Sequence, residues 1–101
     1  FLAKNGVTTW LPTFVPDSDE NYRKQIQTIE KVREIQANLP IAQIVGVHYE
    51  GVFANTQMCG ALRPEYFKTF TGKELDELPT LKNAVHHTTY APEITGGIEL
   101  T

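Results

Sequence analysis

The chain has 101 residues and a mass of 11.4 kDa, which suits one domain with a modest core and is too short for several. Nine Lys+Arg against twelve Asp+Glu give a net charge of −3, so there is no basic surface to neutralise a run of phosphates, and a nucleic-acid partner is not expected. A single cysteine cannot close an internal disulfide, and no apolar run approaches the roughly 18 residues of a membrane span. No membrane association and a cytoplasmic setting are therefore expected. The chain opens on Phe1, with neither a basic n-region nor an apolar h-region, and its start reads as a cut rather than a targeting signal.

Phe1 to Gly6 reads as the last turn of a helix, with Lys4 near its carbonyl end and Gly6 at the left-handed position beyond it. Val7 to Leu11 is β-branched, aromatic or aliphatic throughout, and predicts a short buried strand; Pro12 and Pro16 then predict a loop without ladder bonding. Asp17 and Ser18 are good helix caps, and Asp19 and Glu20 suit the positive end of a helix. Tyr22, Ile26, Ile29, Val32, Ile35 and Leu39 then recur at three- and four-residue steps. These signals predict an amphipathic helix over Asp19 to Asn38, ended by Pro40.

Ile41 to Glu50 is apolar at alternating positions of both parities through Val47, the pattern of a parallel strand covered on both faces. Gly51 to Arg63 has no periodicity and reads as a long loop leaving the carboxyl end of that strand. Pro64 to Phe67 can start a helical turn. Thr71 with Glu74 three residues on has capping-box spacing and predicts another helical turn to Leu78. Val85 to Tyr90 predicts a third strand, and Thr95 with Gly96 and Gly97 the cap of a further helix.

Strands and helices alternate, which argues an α/β fold with a parallel sheet whose strands lie side by side in chain order. The alternation runs to both ends of the chain. Residues 1–101 are accordingly expected to be a single partial domain, a slice of a larger barrel or open sheet.

His48 and Glu50 are two apart on one strand, so they share a face at its carboxyl end beside the long loop. An imidazole and a carboxylate so placed can serve a divalent cation, although a catalytic site normally draws on three protein ligands; a polar strand end meeting solvent carries the same spacing. His86 and His87 lie where alternation sends one ring to each face and read as structural. Cys59 reads as a free loop thiol, with a nucleophile–base pairing to His48 as the alternative. Trp10 and Phe14 read as packing residues and Met58 as a gap filler.

Three ordered motifs, GVTTWLPT at 6–13, GVHYEG at 46–51 and TTYAPE at 88–93, resemble consecutive motifs of the N-acetylglucosamine-6-phosphate deacetylases, of the amidohydrolase superfamily. Phe53, Asn55 and Gly60 add to the resemblance, which covers Gly6 to Glu93. It implies an internal segment of a metal-dependent (β/α)8 TIM-type barrel that hydrolyses the acetamide of an amino-sugar phosphate, a hydrolase of amide C–N bonds forming a homo-oligomer. Carried over position by position, Glu50 is the metal ligand, His48 stands beside it without touching the ion, and Gly60, Ala61 and Leu62 fall where the family's loop meets the sugar. The ion is divalent, zinc first, with iron, manganese or cobalt as alternatives.

The sequence departs from the family pattern in that loop. Val52 replaces a proline, Met58 and Cys59 replace a lysine pair, and Leu62 replaces a histidine that faces the substrate. A hydrophobic Leu62 suits a less polar ligand, so an amidohydrolase acting on another N-acyl group or a cyclic amide is the alternative, and a non-catalytic folded fragment a third reading. The family's other ligands and its catalytic aspartate belong to segments before and after this one. No catalytic residue is expected within the segment, and the isolated chain is expected to be inactive.

Overall fold

A computed structural model describes residues 1–101. The strands are β1 (Thr9–Trp10), β2 (Thr13–Phe14), β3 (Gln43–Ile44), β4 (Gly46–Glu50) and β5 (Val85–Thr89); α1 (Asp19–Gln36) lies between β2 and β3, and α2 (Gly97–Leu100) follows β5. Every pairing is parallel: β1 with β3, and β2–β4–β5 in that order. The expected arrangement of three neighbouring parallel strands in chain order is therefore present. Short 3-10 turns occupy Ala3–Asn5 and Pro64–Tyr66. Gly6 ends the first of them at φ +83°, its N–H donating to Ala3 O, as its position predicts. No helix is long and apolar enough to cross a membrane.

The first strand does not stop at Pro12. A proline has no N–H to give, but its carbonyl still accepts, and Pro12 O receives His48 N at 3.0 Å. The edge-to-edge pairing therefore continues through Thr13 and Phe14, where the sequence predicts a loop.

The second strand carries one residue more than the first. Thr8 O and Trp10 O accept from Gln43 N and Val45 N, but Pro12 O accepts from His48 N, a step of two on one strand against three on the other. This is a β-bulge, and it reverses the alternation of side chains. Ala42 and Ile44 are buried before it, Val47 and Tyr49 after it. The unbroken apolar run is thus one covered face with a phase slip, not a strand covered on both sides as the sequence predicts. Gly46 sits at the slip because a Cβ there would lie 1.8 Å from Val85 O.

Helix α1 begins as its signals predict: Ser18 Oγ accepts from Asn21 N at 3.2 Å. Asp17 Oδ1 braces this cap by accepting from Ser18 N and from the Asn21 side chain, and those bonds, the Asn21 amide first, hold the Asp17 carboxyl below its ordinary range. The helix closes at Gln36, two residues before Asn38, where the N–H groups of Asn38 and Leu39 turn to the i−3 carbonyls of Ile35 and Gln36; the Gln36 side chain is buried against β3. Its amide donates to Ile44 O at 3.0 Å and its oxygen accepts Ile44 N at 2.7 Å. One side chain satisfies both backbone groups where no third strand reaches β3. Tyr22 and Ile26 are buried, while Val32, Ile35 and Leu39 on the later part of the stripe are exposed.

The core lies on one face of the sheet: Phe14, Tyr22, Ile26, Val47, Tyr49, Val52, Phe53, Leu78 and Leu81. The Tyr49 ring meets Phe14 and Tyr22 edge-on, with centroids 5.5 and 5.3 Å away. Burial pushes its phenol up, so it stays protonated and donates to Pro79 O at 2.6 Å. Phe14 is the packing residue the sequence predicts; Trp10 is 37% exposed and Met58 83% exposed, so neither fills a core gap. Residues 71–78 form turns rather than a helix. Glu74 reaches back to Thr71 N as in a capping box, but it also takes the Thr71 hydroxyl and Lys73 N, and the hydroxyl that would cap a helix is consumed.

Candidate functional site

The carboxyl ends of the three strands lie together because all are parallel, and the segments leaving them form one rim. Asn55, in the loop after β4, donates to Glu93 after β5 at 3.1 Å. Arg63, at the far end of that loop, meets Asp17 at 3.3 Å and Pro16 O at 3.4 Å before α1, with its guanidinium 4.6 Å from the centre of the Tyr66 ring. Lys68 adds an ion pair to Asp19 at 3.0 Å. The Glu93 carboxyl is held below its ordinary range by its own backbone N–H first and then by Asn55.

Opposite the core, cross-strand register lines up polar side chains. Thr13 pairs with His48 and His48 with His87, while Glu50 pairs with Thr89. Thr13 Oγ1 lies 3.1 Å from His48 Nδ1, and Thr89 Oγ1 lies 2.8 Å from His48 Nε2. A neutral imidazole has one donor and one acceptor, and a hydroxyl can be either, so both neutral tautomers are satisfied between the two threonines. The ring is a rivet across three strands. His87 meets it edge-on at 4.8 Å between centroids, whereas the His86 ring, one residue earlier, accepts Leu81 N at 3.0 Å. The doublet therefore splits between faces as alternation predicts.

Glu50 ends β4 on the His48 face, and its carboxylate enters none of the ion pairs. Gly51 then turns the chain at φ +68°, and Leu62 closes over it. Gly60 is also left-handed, at φ +58°, and is exposed with Ala61. The Cys59 thiol donates to Thr56 O at 3.3 Å within its own loop; no bond joins it to His48.

A carboxylate oxygen free of other bonds suits a divalent cation, and Glu50 fits as one such donor. Both nitrogens of His48 are already engaged. No group of three His, Cys, Asp or Glu side chains is placed to hold a metal, so the chain by itself does not form a complete coordination shell.

No protein-family model matches the chain. It is 30% identical over 90 residues to an N-acetylglucosamine-6-phosphate deacetylase of Haemophilus influenzae, covering 89% of this chain and 23% of that one. It is 31% identical over 98 residues to an N-acetylgalactosamine-6-phosphate deacetylase of Escherichia coli O157:H7, covering 96% and 26%. An N-acetylglucosamine-6-phosphate deacetylase of Danio rerio is 33% identical over 98 residues, covering 93% and 23%. The chain is similar to amino-sugar-phosphate deacetylases along nearly its whole length. The crystal structure of the N-acetylglucosamine-6-phosphate deacetylase from Pasteurella multocida matches its fold with a TM-score of 0.64 at 25% identity, over 90% of this chain and 23% of that one. The chain thus spans about a quarter of the length of these deacetylases.

The three deacetylase-like motifs occupy three adjacent strands and their carboxyl ends. Sequence reasoning found His48 and Glu50 from their two-residue spacing. It did not bring Thr13, His87 and Thr89 to them, because that step needs the register between strands.

Proposed function

We propose that the chain is a segment of a metal-dependent amidohydrolase with a (β/α)8 barrel, one that removes the acetyl group from an amino-sugar phosphate. The observation that carries this is the run of three motifs, in order, at the carboxyl ends of three adjacent parallel strands, the end at which barrel enzymes keep their active sites. In this reading the face bearing Thr13, His48, Glu50, His87 and Thr89 lines the barrel interior. Glu50 contributes one carboxylate ligand, and His48, held by both threonines, fixes the strand end that presents it. A bound divalent ion would supply Lewis acidity and a water acidified from its ordinary value towards neutrality. The remaining ligands and the proton-accepting carboxylate belong to other segments, and the isolated chain is inactive.

Gly60, Ala61 and Leu62 form the part of the loop that meets the sugar, the first two through backbone left open by exposed small residues. The whole protein is a cytoplasmic homo-oligomer. The test is acetate release by the full-length protein from N-acetylglucosamine 6-phosphate and N-acetylgalactosamine 6-phosphate. Turnover of either supports the proposal, and turnover of neither, with stoichiometric metal bound, refutes it. Leu62 favours one other reading, an amidohydrolase for a different N-acyl or cyclic amide substrate, and a panel of such amides in the same assay separates the two.

A further inference from the structure

We infer that His87 is a positioning residue for His48, and through it for the Glu50 strand end. The inference rests on the proposed function for its kinetic consequence and on geometry alone for its structural one. His48 is tied at both nitrogens to hydroxyls on neighbouring strands, which hold the ring only as firmly as the two threonine side chains keep their rotamers. His87 adds a packed wall beside it. It stands in register with His48 on β5, with its ring 4.8 Å away and inclined at 65°, an edge-to-face arrangement that resists rotation of either ring. No other ring approaches His48: the remaining aromatic pairs, Phe14–Tyr22–Tyr49 and Phe53–Phe70, lie elsewhere. The ring nitrogens of His87 make no hydrogen bond to the protein, whereas His86 spends Nε2 on Leu81 N, so the role of His87 is met by its flat aromatic body and not by its polarity. Phenylalanine should then substitute for it and an aliphatic residue should not.

The experiment compares His87→Phe, His87→Leu and His87→Ala in the full-length protein, by crystal structure and by steady-state kinetics. His87→Phe should keep both threonine contacts of His48 and most of kcat. His87→Leu and His87→Ala should rotate the ring away from Thr13 or Thr89 and lower kcat between about threefold and tenfold with KM unchanged. The inference is overturned if His48 keeps both contacts in the leucine and alanine variants, if kcat holds, or if KM alone rises. Should His87→Ala fail to fold, the leucine and phenylalanine pair gives the same contrast. If the wild-type protein releases no acetate, the deacetylase reading fails by itself, and the crystallographic comparison still decides the inference.

Discussion

Leu62 lies directly against Gly51: a Cβ built on Gly51 would stand 2.4 Å from Leu62 Cδ1. The glycine is required twice, by this contact and by its φ of +68°, and the pair closes the base of the loop immediately after Glu50. Gly51→Ala should cost about 1–3 kcal/mol, from the left-handed backbone and the displaced leucine together. Adding Leu62→Ala to it should return the steric part, less the packing that Leu62 itself contributes, and leave the backbone part. Urea denaturation of the two variants checks this; a Gly51→Ala variant as stable as wild type would show that the turn relaxes.

Gly46 is the tighter site. A Cβ there meets the backbone of Val85, with the carbonyl oxygen at 1.8 Å and the carbonyl carbon at 2.6 Å, and a strand backbone cannot swing aside as a side chain can. Gly46→Ala should destabilise by about 3 kcal/mol or more by separating β4 from β5. Thermal unfolding measures the cost, and hydrogen exchange at Val85 N, which bonds to Val45 O at 2.9 Å, should accelerate.

Glu74 should titrate far below an ordinary glutamate, at about 2 instead of 4.5. The Thr71 hydroxyl is the first cause, and the backbone N–H groups of Thr71, Glu74 and Lys73 add to it. A lowered native pKa means that the carboxylate stabilises the 71–78 turn fully above pH 4.5, and that this contribution fades as pH falls towards 2. An NMR titration of Glu74 should give that low value in wild type and a higher one in Thr71→Val. A midpoint near 4.5 in wild type would contradict it.

Much of this fold is legible in the sequence because its signals are local. Ser18, Asp19 and Glu20 start α1, Gly6 caps the first turn, and runs of β-branched and aliphatic residues mark the strands. What the sequence hides depends on a partner. The bulge at Gly46 leaves no periodic mark, so an apolar run that belongs to one face imitates a strand buried on two. Pro12 looks like a strand end until its carbonyl is matched with His48 N. Gln36, on the helix, spends its side chain on the backbone of Ile44, eight residues away. The site divides likewise: His48 and Glu50 share a strand and a face by spacing, while His87 joins them through register alone.

Leu62 should also matter for substrate choice. Its side chain carries no hydrogen-bonding group at the loop end beside Glu50, so it offers nothing to a sugar phosphate. In the full-length protein, Leu62→His should raise kcat/KM for N-acetylglucosamine 6-phosphate by up to about tenfold, the worth of one hydrogen bond of roughly 1 to 1.5 kcal/mol. It should also cost some stability through the lost packing on Gly51. An unchanged kcat/KM would remove Leu62 from the substrate site.

The central claim is that the Glu50 carboxylate holds a catalytic divalent ion at the end of β4. Its most direct test is the metal content of the full-length Glu50→Gln variant, measured beside its acetate release and its circular dichroism. Glutamine keeps the size and the strand but not the charge, so the account predicts loss of stoichiometric metal and of turnover with an unchanged fold. Full metal occupancy and undiminished turnover in Glu50→Gln would contradict it.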